Sequence, residues 1–308
     1  MLEENIKTKS AFIAIVGRPN VGKSSLLNAM LGQKIAIVSN KPQTTRTRIM
    51  GILTRGAIQL VFIDTPGIHQ PKTNLGKYMV KSINESVMGV DTCMLVVEAG
   101  SKIYAQEFNL INKFKSMNIP AILAINKIDL LRDKSILMKQ ITELSSYYNF
   151  ESVIPVSASI KSGVEDVVVE LEKLAFESQH FFDSDALTDQ PEKVIVSEII
   201  REKMLRLLDK EIPHGIAVIV ERLEERKSKD NDDINDIEAT IYCERDSHKS
   251  IIIGKAGSML KKIGTYSRQD IENFFGCKVN LKLWVRVKEN WRNKENILRT
   301  LGYDKNDF

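Results

Sequence analysis

The stretch Ala11-Phe12-Ile13-Ala14-Ile15-Val16-Gly17-Arg18-Pro19-Asn20-Val21-Gly22-Lys23-Ser24-Ser25 decides the fold. Residues 11–16 are an apolar run that predicts a buried strand, and residues 24–31 carry a helical pattern. Between them Gly17 to Ser24 matches GxxxxGK[ST], at the strand-to-helix junction that this loop requires. Gly17 and Gly22 let backbone N–H groups wrap a run of phosphates, and the helix N-terminus adds a favourable dipole. Lys23 supplies a point charge to the β- and γ-phosphates, and the Ser24 hydroxyl is a magnesium ligand. Asn20, Val21 and Ser25 complete the expected contacts of the loop.

Outward from this loop the first half alternates apolar runs (58–63, broken only by Gln59, then 92–97, 121–125 and 153–156) with amphipathic stretches (75–88, 105–116, 134–148 and 164–176). That alternation predicts an α/β domain with a mostly parallel sheet and helices on both faces. Residues 48–53 add a strand. The short link at Arg55-Gly56 makes it a hairpin partner of 58–63, hence an antiparallel edge.

Three further motifs fall at the ends of these runs. Asp64-Thr65-Pro66-Gly67 puts a carboxylate where it can hold magnesium, and the Gly67 N–H can reach a γ-phosphate. In Asn126-Lys127-Ile128-Asp129 the Asp129 carboxylate can accept both N–H groups of a guanine edge, which adenine lacks. The Lys127 stem can cover the base, Asn126 can tie this loop to the phosphate loop, and Ser157-Ala158-Ser159 can close the base pocket. Thr44 and Thr45, between the first two motifs, each carry a hydroxyl that could reach magnesium when a γ-phosphate is present.

These motifs, in this order, resemble the translation-factor-like class of P-loop GTPases, over roughly residues 8–178. The resemblance implies GTP/GDP and Mg²⁺ as cofactors, with Ser24, Thr45 and Asp64 on the metal. A paired TTR favours Thr45 over Thr44. Lys23, Thr45, Gly67 and Asn20 are the expected catalytic set. Ile68 stands where many such enzymes carry a water-orienting glutamine, so slow intrinsic hydrolysis is expected. Asn20 is similar to the asparagine that accompanies bound K⁺ in related GTPases, and K⁺ could offset transition-state charge. Arg46 as an arginine finger in cis is the weaker alternative.

The pattern changes near residue 180. Residues 179–190 (QHFFDSDALTDQ) are polar and read as an interdomain linker between a GTPase domain at 1–178 and a second domain at 191–308. The second domain reads as α-β-β-α-β: a helix over 192–208, strands at 215–222 and 237–244 around an acidic loop at 227–236, and a strand-like Ile251-Ile252-Ile253. Gly254-Lys255-Ala256-Gly257 then leads into a long helix to Phe275, with a strand at 278–287 and a final helix over 289–300. Residues 247–299 hold 12 Lys+Arg against 4 Asp+Glu, whereas 221–246 hold 5 against 10. A GxxG loop with glycines for close backbone approach, beside Lys255, Lys261, Lys262 and Arg268, has the make-up of a KH-type clamp on single-stranded nucleic acid. Ile253 and Ala256 belong to the same loop. Tyr266, Phe274 and Phe275 are read as core rather than as base-stacking rings.

A KH domain behind this GTPase domain resembles the bacterial Era GTPases: GRPNVGKS, KPQTTR, DTPG, NKID, SAS and IIIGKAG all stand where that family has them. The resemblance implies binding to the 3′ end of 16S rRNA, a role in 30S subunit biogenesis and peripheral membrane association. No DNA partner is expected, and a monomer is. Two alternatives stay open: an RNA-binding assembly factor whose nucleotide is a structural ligand with negligible turnover, and a peripheral membrane GTPase.

The whole-chain numbers agree. The 308 residues are 43% hydrophobic and 27% charged, with a net charge of +4, which excludes collagen-like and largely disordered chains. Cys93, Cys243 and Cys277 form no CxxC pair, so neither a disulfide framework nor a zinc site is expected. The first ten residues lack a secretory pattern, and no apolar run approaches the length of a spanning helix, so a cytoplasmic location is expected.

Overall fold

A computed structural model describes residues 7–39, 41, 44–46, 48–65, 89–209, 212–227 and 231–300. They form two compact units that meet in sequence between Asp189 and Gln190. Gly67, Ile68 and the helix expected over 75–88 lie outside the described residues.

The first unit is built on a sheet of order β2-β3-β1-β4-β5-β6. Its strands are β1 (Lys9–Val16), β2 (Ile49–Arg55), β3 (Ile58–Asp64), β4 (Thr92–Glu98), β5 (Ala121–Asn126) and β6 (Ser152–Val156). All pairings along this path are parallel except β2 with β3, a hairpin turning at Gly56 (φ 56°). A short β7 (Phe176–Glu177) returns antiparallel to Lys9 and Ser10 of β1. The alternation of β1 divides the core. Ala11, Ile13 and Ile15 face α1 (Lys23–Leu31) and α4 (Val164–Lys173). Ala14 and Val16 face α2 (Ala105–Met117) and α3 (Lys134–Tyr147). Parallel strands bring their C-terminal ends to one edge. Val16, Asp64, Asn126 and Val156 therefore end side by side, and every phosphate and base motif follows one of these ends.

The segment expected to be a linker is instead strapped to this unit as far as Asp189. Gln59 is fully buried in β3. Its Oε1 accepts the N–H groups of Phe181 (2.8 Å) and Phe182 (3.0 Å), and its Nε2 donates to Phe182 O (2.9 Å) and Thr54 Oγ1 (3.0 Å). Phe181 packs edge-on against Phe12 at 5.0 Å. Ile52 N–H donates to Leu187 O (2.9 Å), and Thr188 Oγ1 donates to Met50 O (2.6 Å), so the strap covers edge strand β2. A buried amide must find partners, and the polar stretch supplies them.

The second unit runs α5 (Glu192–Leu207), β8 (Ala217–Lys227), β9 (Asp233–Cys243), α6 (Asp246–Ile253), α7 (Ser258–Phe275), β10 (Lys278–Val287) and α8 (Glu295–Thr300). Its sheet has the order β10-β9-β8, with β8 antiparallel and β10 parallel to β9. Two expectations are corrected. The isoleucine triplet is helical: as the last turn of α6 it buries Ile252 and leaves Ile251 exposed, which a short apolar run cannot announce. Of the expected acidic loop, Lys227 and Asp233 to Asp236 are strand. Its acids pair across the ladder, Asp236 with Arg226 of β8 at 2.6 Å and Asp233 with Lys227 at 2.5 Å, instead of repelling one another. The order is therefore α-β-β-α-α-β, followed by the final helix α8. Phe274 and Phe275 pack on the core, whereas Tyr266 is exposed. No helix of the described residues is long and apolar enough to cross a membrane.

Candidate functional site

The loop after β1 is shaped by its glycines. Gly17 (φ 150°) lies so close to β4 that a Cβ there would sit 2.3 Å from Val96 O. At Gly22 (φ 96°) a Cβ would sit 2.2 Å from Asn126 Nδ2. Asn20 takes the left-handed conformation (φ 65°). Gly22 caps α1 with no side-chain hydrogen bond, and the first turn holds no acidic residue, so the helix N-terminus is left to an anion. Lys23 is buried and donates to Gly17 O (3.1 Å) and Arg18 O (3.0 Å). Burial lowers its ammonium to about 8, against the opposing pull of Asp64.

Three oxygens meet beside it. Ser24 Oγ donates to Asp64 Oδ2 at 2.6 Å and lies 3.0 Å from Thr45 Oγ1. Burial raises the Asp64 carboxyl to about 6, against Lys23 and the hydrogen bonds from Ser24 and Thr45. Asp64 Oδ1 is buried and, among the described residues, has no hydrogen-bond partner. An unpartnered carboxylate oxygen next to two hydroxyls is an all-oxygen donor set, which fits Mg²⁺. Of the two threonines, Thr45 is in this cluster, whereas the Thr44 hydroxyl turns to Lys41 O (2.6 Å) in its own loop. Arg46 is buried, which disfavours a finger role. Asn20, Ser25, Ile37, Val38 and Ser39 line the cleft over Lys23 and Ser24, and Ile37, Val38 and Ser39 had no motif to mark them.

The base side is fastened to the phosphate side. Asn126 Nδ2 donates to Val21 O (2.9 Å), and its Oδ1 accepts the Ala158 N–H (3.1 Å). Asp129 accepts from Ser157 Oγ (2.5 Å) and Ser159 Oγ (3.1 Å), and these bonds hold its carboxyl below the usual range. Its carboxylate is exposed, as an acceptor for base N–H groups must be. Lys127 (φ 68°) pairs with Glu98 at 2.9 Å, a partner that the motif did not reveal. Arg18, also unassigned by the motif, donates to the buried Glu107 at 2.7 Å.

In the second unit Gly254 (φ 73°, ψ 173°) ends α6 and Gly257 (φ 78°) caps α7 without a side chain or a first-turn acid. Lys255 and Ala256 are exposed between them, and Ile253 is half-buried. Lys261, Lys262 and Arg268 are exposed along α7. A groove of about 380 Å³ runs between α7 and β10, lined by Gly257, Lys261, Arg268, Asn280, Leu281 and Leu283. The β10 wall was not foreseen, because its leucines read only as strand core.

Comparison with known proteins agrees with this geometry. Residues 12–127 match the family model "50S ribosome-binding GTPase", and residues 211–292 match "KH domain". The chain is 50% identical to GTPase Era of Ruminiclostridium cellulolyticum, over 97% of this chain and 98% of that one. It is 46% identical to GTPase Era of Clostridioides difficile, over 96% and 99%. Among solved structures, an Aquifex aeolicus Era variant bound to GDP and AlF4⁻ superposes with a TM-score of 0.89 at 35% identity, covering 96% of this chain and 99% of that one. An Era complex with MgGDPNP and nucleotides 1506–1542 of 16S ribosomal RNA has the same score, identity and coverage.

Proposed function

The chain belongs to the Era family of GTPases, and from that premise we propose that it is a GTP-hydrolysing switch whose KH domain binds 16S rRNA near its 3′ end during 30S subunit biogenesis. The observation that carries the switch is the seat of Thr45, 3.0 Å from Ser24 in a cluster completed by Asp64. A hydroxyl supplied by a loop, rather than by the sheet, can report on whether a γ-phosphate is present.

The residues divide the work. The phosphate loop (Gly17, Asn20, Val21, Gly22, Lys23, Ser24 and Ser25) wraps the phosphates. Ser24, Thr45 and Asp64 hold Mg²⁺, which screens the charge of the β- and γ-phosphates when bound. Asn126 joins the two loops, Lys127 covers the base, Asp129 reads guanine, and Ser157, Ala158 and Ser159 wall the pocket. Gly67 is assigned the γ-phosphate. Asn20 is assigned a K⁺ ion, and equal turnover in Na⁺ and K⁺ buffers would remove that assignment. In the KH domain Ile253, Gly254, Lys255, Ala256 and Gly257 clamp the RNA backbone, with Lys261, Lys262 and Arg268 adding charge.

The deciding experiment titrates a labelled RNA matching the 3′ end of 16S rRNA against protein loaded with GDP or with a non-hydrolysable GTP analogue, at fixed salt. Tenfold tighter binding in the GTP state, about 1.4 kcal/mol of coupling, is the expected result. Equal binding would break the switch reading. Turnover indistinguishable from zero with K⁺ and RNA present would leave the nucleotide as a structural ligand. Residence in the cytoplasm, a monomeric state and peripheral contact with the inner face of the cell membrane complete the reading. Sedimentation and flotation with anionic vesicles test the last two.

A further inference from the structure

The sheet of the KH domain has two unlike faces. In β10, Leu281, Leu283, Val285 and Val287 pack against the core, while Lys282, Trp284 and Arg286 alternate with them and are exposed. The two tryptophans of the chain have opposite fates. Trp291 is fully buried and donates its indole N–H to Gly215 O at 2.9 Å, whereas Trp284 is 55% exposed. The register sets Trp284 beside Thr240 and Arg286 beside Tyr242 on β9. The Lys288 ammonium lies 5.0 Å from the centre of the Tyr242 ring. Lys282 is paired with Glu238 at 3.2 Å. The open face thus carries a bare indole with cations on both sides along its strand.

We infer that this face is a second surface for single-stranded RNA, on which Trp284 stacks a base while Arg286 and Lys282 meet the flanking phosphates. Stacking on an aromatic ring is sequence-tolerant and needs one open face, and cations beside the ring supply the backbone contacts. The two RNA surfaces share a strand. Leu281 and Leu283 line the GxxG groove from one face of β10, and Trp284 stands on the other. β10 is the edge of its sheet, so an RNA leaving the groove has one strand to round before it reaches the indole. The inference rests on the RNA-binding reading above. A lipid surface fits less well. Membrane-surface affinity grows with apolar area buried, and Trp284 is the one large exposed apolar side chain on this sheet among the described residues.

The test uses the full chain loaded with a non-hydrolysable GTP analogue. Two labelled RNAs from the 3′ end of 16S rRNA are compared, one just long enough for the GxxG groove and one extended by unpaired nucleotides at each end. Wild type is expected to bind the extended RNA about tenfold tighter than the short one, and Trp284→Ala to lose that tenfold. Trp284→Phe is expected to keep most of it, which guards against misfolding, and all three proteins should bind the short RNA alike. The extended RNA should quench indole fluorescence in wild type and leave Trp284→Ala unquenched, because Trp291 is buried. Unchanged binding of the extended RNA by Trp284→Ala overturns the inference. So does retention of wild type, but not Trp284→Ala, on phosphatidylglycerol vesicles with RNA affinity equal. If wild type binds neither RNA, the RNA-binding reading falls first and this inference with it.

Discussion

Glu107, in the first turn of α2, accepts the Arg18 side chain of the phosphate loop at 2.7 Å with one oxygen and the backbone N–H of Tyr104 at 2.8 Å with the other. Arg18 also donates to Ser101 Oγ at 3.2 Å and lies 3.8 Å over the Tyr104 ring. Its own carbonyl receives Lys23. The helix cap and Lys23, the lysine proposed to meet the phosphates, thus share one arginine. Glu107 is buried, so its removal strands a charge in a poorly solvated place. Glu107→Ala is expected to cost about 3 kcal/mol of stability and to weaken GDP binding by about tenfold. Glu107→Gln should recover part of both. Thermal shift with and without GDP, and binding of a fluorescent GDP analogue, check this.

Asp129 presents two acceptor oxygens held in place by Ser157 and Ser159. Asp129→Asn exchanges one acceptor for a donor, which opposes the N–H groups of guanine but matches the carbonyl of xanthine. Affinity for GTP should fall by two orders of magnitude or more, with XTP gaining. Competition binding of the two nucleotides measures it, and an equal loss for both would mean that the loop had collapsed.

The two threonines of the switch segment should separate cleanly. Thr45→Val removes a hydroxyl that sits on Ser24, so the Mg²⁺ concentration needed for half-maximal GTP-analogue binding should rise about tenfold or more. Thr44→Val removes a bond to Lys41 O within the loop and should leave that concentration within about twofold. A Mg²⁺ titration of both variants decides.

Much of the geometry of the candidate nucleotide site was legible because its motifs are local. Gly17 to Ser24 and Asn126 to Asp129 are contiguous, and each forms one loop at the end of one strand. What escaped was held from a distance. Gln59 looked like a break in an apolar run, and only the fold shows that its amide meets residues more than 120 positions later. Glu107 reads as an ordinary first-turn acid, and its link to Arg18 spans 89 positions. The isoleucine triplet misled because three β-branched residues favour a strand locally, whereas packing of Ile252 in the core settles them as a helix.

The strap over the β2 edge makes its own prediction. Gln59→Leu keeps the volume but leaves the Phe181 and Phe182 N–H groups without their acceptor. Local stability should fall by about 2–4 kcal/mol. Amide exchange at residues 181–188 should accelerate, while amides of β5 stay protected. Uniform acceleration across the unit would argue for global unfolding instead.

The two glycines of the GxxG loop are not equivalent. Gly254 has a backbone conformation that essentially only glycine adopts, and a Cβ there would meet Met259 N at 2.8 Å. Gly257 needs only the left-handed region and faces open space. Gly254→Ala should cost about 3 kcal/mol and abolish RNA binding, whereas Gly257→Ala should cost about 1 kcal/mol. Chemical denaturation and RNA titration of the pair check the order.

The alternation of β10 sets a rule for insertions and deletions. Gly276 (φ 70°) and Cys277 form the whole connection between α7 and this strand. Losing or gaining one residue there would turn the strand over while leaving its composition intact. Leu281 and Leu283 would then face water, and Lys282, Trp284 and Arg286 would be driven toward the core. The length of that two-residue turn is thus under tighter restraint than the identity of any residue along the exposed side of the strand. A library that varies side chains there should return many folded members, and one that varies spacing almost none.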